Sequence, residues 1–265
     1  MKDHFFPHEI RLKIWKRAIN DNSRIDEKLY ENYYKAVENV IDRIPNKAYI
    51  EKQLSLHTQK QSKDSQKIYE VCLNVLLTFQ MFRTDILFRE GMQKIVVFLY
   101  KLTSNEFQTF KMFHNIIINS PMFKGYYKGR YKKMKEQSLV LDRMIAARKK
   151  NKDLIRLYEL YGNLFKKFFF MMSTTFFLDI FEPQVVEKIM DHFVIFGEST
   201  LYGIGIFVIE QIVGMFLEID KNTEIDDLVS ICRLMENVVI IQKLLYLDEY
   251  RTLYDATLKS VREGK

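Results

Sequence analysis

A single glycine, Gly91, interrupts the first 102 residues of the chain, and only Pro7 and Pro45 join it there as backbone breakers. Tight turns draw on glycine and proline. A stretch this poor in both favours long helices joined at few corners. The remainder differs little, with 9 Gly and 4 Pro in all 265 residues. No run keeps the alternation of a strand, whereas apolar residues recur at helical spacing. Behind Pro7 the stripe is Ile10, Ile14, Ala18 with Trp15 and Ile19. Before Pro45 it is Leu29, Tyr33, Val37, Val40 and Ile44. After Ser104, the expected cap of Glu106–Asn119, it is Phe107, Phe110, Phe113 and Ile117. Ile68–Phe82 is almost wholly apolar, the mark of a buried helix. The expectation is an all-α fold of about a dozen or more helices in two packed subdomains, forming one domain over residues 1–265.

Some segments read less clearly. Tyr49–Thr58 has no decided type. Gln59–Ser65 reads as a polar loop with Ser65 as the next helix cap, and Pro121–Tyr127 as an interruption. Thr223 reads as the cap of a helix Ile225–Leu247, with Asp226 in capping-box position, and residues 248–265 as a C-terminal helix.

Several function classes are excluded. The composition, 48% hydrophobic and 28% charged, is globular. The N-terminus lacks a signal region. Leu201–Leu217 comes nearest to the roughly 20 apolar residues of a spanning helix, but Glu210 interrupts it. Cys72 and Cys232 both lie in apolar helical patterns, as buried thiols of a reducing, cytoplasmic compartment do. His4, His8, His57, His114 and His192 show no metal spacing. Asp220–Glu224 faintly resembles a calcium loop, but Ile225 and Ile231 stand where glycine and glutamate are needed. There is no Gly-rich phosphate loop, no G-x-S-x-G and no Cys/His nucleophile pattern. No cofactor and no metal are expected.

Charge is concentrated in one place. Lys124, Lys128, Arg130, Lys132, Lys133, Lys135, Arg143, Arg148, Lys149, Lys150 and Lys152 face only Glu136 and Asp142 within residues 124–152. That local +9 exceeds the total of +7, so the rest of the chain carries −2. Such a stretch is either a solvated helix or a docking face for an acidic partner, such as a tubulin tail, an anionic lipid surface or, last, nucleic acid. An acidic protein is the favoured partner and nucleic acid is not expected. The partner-binding candidates are Lys124, Lys128, Arg130, Lys132, Lys133, Lys135, Arg148, Lys149 and Lys150.

Five segments in order resemble the TBC domain of Rab GTPase-activating proteins, over roughly residues 7–247. PHEIRLKIWKRAI (Pro7–Ile19) resembles the opening, with Trp15 as the core tryptophan. IEKQLSLHT (Ile50–Thr58) and FREGM (Phe88–Met92) fall on the two finger motifs. FFLDIF (Phe176–Phe181) with Pro183 resembles the Trp-Phe-x-x-x-Phe segment, and IMDHFVIFGES (Ile189–Ser199) the stretch in which an Asp, here Asp191, is followed by an apolar run and a Gly. The resemblance implies an arginine and a glutamine reaching the nucleotide of a bound GTPase, an arginine finger being worth about 10³–10⁵ in rate.

Here the arginine position reads Leu56 or His57, depending on a one-residue slip. The aspartate before it reads Gln53, the glutamine Glu90, and the later tryptophan Phe176. A carboxylate about 4 Å from a phosphate charge costs about 4 kcal/mol at an effective dielectric of 20. The expectation is a catalytically degenerate member with no catalytic residue. It would act as an interaction or structural module in a larger assembly, attached to the cytoskeleton or a cilium. The alternative is an active GTPase activator whose finger is relocated to Arg89 or Arg83.

Overall fold

The computed structural model describes residues 6–20, 25–58, 62–129, 131–215, 222–233 and 247–263. Among them are thirteen α-helices, one 3₁₀ turn (Ile41–Arg43) and no strand. The chain divides into two compact units, Pro7–Gly129 and Arg130–Lys265, the second including Met1–Phe6.

The first unit holds α1 (His8–Asn20), α2 (Glu27–Val40), α3 (Lys47–Thr58), α4 (Lys63–Phe82), α5 (Met92–Thr103), α6 (Glu106–Asn119) and α7 (Pro121–Lys128). Helix α4 is its axis and packs against α2, α3, α5 and α6. Its buried Cys72, Val75, Leu76 and Phe79 meet Ile95, Val96 and Leu99 of α5 and Phe110, Phe113 and Ile117 of α6 in one core. Aromatic edges lock this core. Phe79 meets Phe113 at 4.9 Å and Tyr30 meets Phe110 at 4.7 Å between ring centroids, contacts that add to simple area burial.

The second unit holds α8 (Tyr131–Ala146), α9 (Lys152–Ser173), α10 (Pro183–Phe196), α11 (Glu198–Met215), α12 (Ile225–Cys232) and α13 (Asp248–Arg262). Helix α11 runs through its middle, flanked by α9, α10, α12 and α13. Its Leu201–Ile209 segment is buried on every side, which explains an apolar run so close to spanning length. No helix among the described residues is long and apolar enough to cross a membrane.

The segments of uncertain type are helices. Tyr49–Thr58 belongs to α3, which buries Ile50, Leu54 and Thr58 at helical spacing. Pro121 does not break the chain but occupies the first turn of α7, where its missing N–H costs nothing. Three caps shift from their expected places. Ser62, not Ser65, caps α4 and accepts from the Ser65 N–H. Asn105, not Ser104, caps α6; Ser104 instead closes α5 in a left-handed conformation. Glu224, not Thr223, caps α12 and forms the capping box with Asp227. The expected helix Ile225–Leu247 is described only to Cys232, and Asp220 lies outside the described residues.

The landmark residues of the opening and of the two later segments are core. Trp15, Phe176 and Asp191 are all fully buried, and Asp191 accepts a hydrogen bond from the Phe6 N–H at 3.2 Å. Phe176 and Phe177 hold φ of 53° and 62°, strained for non-glycine residues, in the turn after α9. Both cysteines are free and buried, and burial pushes each thiol up to about 12.

Candidate functional site

The two finger segments lie in the first unit, on α3 and on the connection from α4 to α5. That connection, residues 83–91, is held from beneath. Gln80 of α4, itself buried, donates from Nε2 to the Ile86 carbonyl at 3.1 Å and accepts from the Phe88 N–H at 2.9 Å. Ile86 and Phe88 are therefore drawn inward, and Leu87, Arg89 and Glu90 point outward. Gly91 then turns the chain at φ 100°, a conformation in which an L side chain is strained, and donates its N–H to Gln93 Oε1 at 2.9 Å. At the other end Asp85 receives Arg83 in a two-bond pair, 2.8 and 2.9 Å, and also Lys128 of α7. Arg83 and then Lys128 hold the Asp85 carboxyl well below the usual carboxylate range.

This clamp yields a test of its own. Gln80→Ala leaves a buried N–H and a buried carbonyl without partners, at a cost of about 2 kcal/mol. Hydrogen exchange at the Phe88 amide is expected to accelerate, and unchanged protection there would show that Gln80 does not set the loop.

Helix α3 packs against α4 and α5 and meets the loop through Tyr49, whose ring stands edge-on to Phe88 at 5.7 Å. Because Ile50, Leu54 and Thr58 face inward, Leu56 and His57 face outward. Whichever of the two occupies the arginine position, the exposed side chain there is not a guanidinium. Leu56 is 64% exposed, Leu87 57% and Tyr49 42%. Tyr49 and Leu56 are seven residues apart, about two turns along one face of α3. The sequence reading passed over Leu87 and Tyr49. The one signal for them was an apolar residue out of phase with its element's buried stripe.

Arg89 and Glu90 follow Phe88 on the exposed side of the loop. The Arg89 guanidinium Nη2 stops 3.0 Å from where a side chain at Gly129 would begin, so it leans on the C-terminal end of α7. A cation is favoured there by the carbonyls of the last turn. Glu90 is exposed. Both charges reach Tyr126 of α7. Burial raises that phenol, Arg89 opposes the rise and Glu90 adds to it.

The chain matches the Rab-GTPase-TBC domain model over residues 8–238. It belongs to the Rab-GTPase-TBC domain family. The TBC fold is borne out by structure as well: the chain is similar to the crystal structure of the Chlamydomonas flagellar RabGAP TBC domain, with a TM-score of 0.67, 16% identity, and coverage of 91% of this chain and 81% of that one. No curated protein matches the sequence. Within this TBC domain both finger segments lie in the first unit and touch through Tyr49 and Phe88, and Leu56, His57 and Glu90 are exposed.

The basic stretch is not gathered in the same way. Lys124 and Lys128 belong to the first unit, and Lys128 is paired with Asp85. Arg130 lies outside the described residues. Lys132, Lys133 and Lys135 are exposed on the first turns of α8, with Lys133 3.7 Å from Glu136. Arg148 is drawn inward, paired with Glu210 at 2.8 Å and with Glu249, and stacked on Tyr250 at 4.9 Å. Lys149 and Lys150 are exposed in the turn after α8.

Proposed function

We propose that this TBC domain acts by contact rather than by catalysis, as an interaction or structural module in a larger assembly. The observation that carries the reading is the finger face itself, where Leu56, His57 and Glu90 stand exposed without an arginine or glutamine among them. An apolar and acidic surface of this kind suits a protein contact and opposes the charge that develops on a transferred phosphoryl group. A Rab-type GTPase is the partner for this face. The exposed lysines of α8 and the turn after it serve a second, acidic protein partner such as a tubulin tail, at a cytoskeletal or ciliary assembly in the cytoplasm.

The alternative, an active GTPase activator using Arg89, is opposed by the position of that guanidinium against α7. Arg83, the other candidate, is committed to Asp85. Single-turnover GTP hydrolysis by a panel of Rab-type GTPases, with and without the domain, is expected to proceed at the intrinsic rate in every case. Acceleration well above that rate, abolished by Arg89→Ala, would overturn the reading.

A further inference from the structure

The corner between α8 and α9 has a feature that the finger face does not share. A groove of about 460 Å³ opens there, lined by residues of both helices. Ile145, only 1% exposed, lies at its bottom with Ala146 and Ile155 beside it. Lys149, Lys152 and Arg156 line it and are exposed. The combination is an aliphatic floor under a cationic lip.

Two carboxylates also line the groove. Asp142 is already engaged, accepting from the Tyr158 hydroxyl at 2.8 Å and pairing with Lys166 at 2.8 Å. That leaves Glu159 against the three cations Lys149, Lys152 and Arg156. The unsatisfied charge of the groove is therefore positive. Its volume falls within the 300–1,000 Å³ of ordinary ligand sites.

We infer that this groove binds a short acidic peptide segment of a partner protein, with one apolar side chain of that segment seated on Ala146 and Ile155 above the buried Ile145. Carboxylates flanking the anchor would meet Lys149, Lys152 and Arg156. Charge complementarity selects the sign of the partner and steers its approach. The concave floor selects its form. A flat bilayer surface would meet the lysines but would not enter the groove to Ala146 and Ile155, and a phosphate backbone would gain nothing from an aliphatic floor. This inference rests on the proposed role as an interaction module and adds the chemistry of the second partner.

The test uses the full chain and a fluorescein-labelled Asp/Glu-rich peptide with one central Phe, followed by fluorescence anisotropy. Saturable, salt-sensitive binding is expected. Lys149→Glu with Arg156→Glu is expected to weaken it about tenfold or more. Ala146→Trp, which fills the groove without changing charge, is expected to weaken it about as much. Replacing the peptide's Phe by Ser is expected to do the same. Circular dichroism melts of the variants establish that they remain folded. The inference is overturned if the charge reversals or Ala146→Trp leave affinity unchanged, or if the Phe-less peptide binds equally well. It is also overturned if phosphatidylserine-containing vesicles capture the domain while the peptide does not. Binding of a Rab-type GTPase to the same variants separates the two readings: it is expected to be unaffected, and its loss in the wild-type chain would strike the finger face rather than the groove.

Discussion

Replacing Leu56 by arginine and Glu90 by glutamine in one molecule is expected to raise GTP hydrolysis by a bound Rab-type GTPase about a hundredfold over the wild-type domain. The scaffold beneath both positions is intact. Ile50 and Leu54 fix the phase of α3, so an arginine at 56 would leave the helix in the direction Leu56 now takes. The Gln80 clamp and the turn at Gly91 fix the backbone at position 90. Glutamine there removes a repulsion of up to about 4 kcal/mol at close range and supplies a neutral amide whose oxygen can accept from, and so orient, the attacking water. The gain is set below the 10³–10⁵ of a mature arginine finger because Gln53 supplies no carboxylate to orient the new guanidinium. The single variants are expected to gain far less than the pair, as residues that act as a unit are not additive. Single-turnover kinetics across the four combinations checks this. A double variant that binds a GTPase yet leaves its hydrolysis at the intrinsic rate would show that the face does not address the nucleotide.

The TBC family was legible because its landmarks depend on residue identity within a recognisable frame. Trp15, Gly91, Phe176 and Asp191 supply that frame, and each is inside the fold or at a turn. The helical class was legible for a similar reason, since few glycines and prolines leave little else. Helix α3 was not, because exposed Tyr49 and Leu56 blur the phase set by buried Ile50 and Leu54. Caps were misplaced where neighbouring residues offer the same oxygen chemistry: Ser62 against Ser65, Glu224 against Thr223. The basic stretch was least legible. Two of its charges are paired with residues far away in sequence, Lys128 with Asp85 and Arg148 with Glu210 and Glu249. No local pattern announces such pairings, nor the groove that Ile145 and Ile155 form with the lysines left over.

The second large effect concerns α11, where two glycines have opposite meanings from a third. A side chain at Gly205 would begin 2.5 Å from Phe169 Cδ2, and nearer still to Cε2. Phe169 is fully buried and itself rests 4.9 Å from the Tyr202 ring, which rests 4.9 Å from Tyr254. The phenylalanine has no room to retreat in so dense an interior. Gly205→Ala is therefore expected to destabilise the domain by about 3 kcal/mol, by forcing α9 away from α11. Gly203 occupies the other side of α11, where a Cβ would meet Leu247 at 2.8 Å and Tyr250 at 3.1 Å. Gly214, near the end of the same helix, is exposed and has nothing within 4 Å of its would-be Cβ. There alanine only removes backbone freedom from the unfolded chain, so Gly214→Ala is expected to stabilise by about 0.5–1 kcal/mol. Thermal unfolding distinguishes the pair, since each kcal/mol moves the midpoint by about 2–4 °C in a domain of this size. Equal shifts of the same sign at 205 and 214 would mean that helix propensity governs both sites. Opposite signs would mean that α9 and α11 approach so closely because position 205 has no side chain.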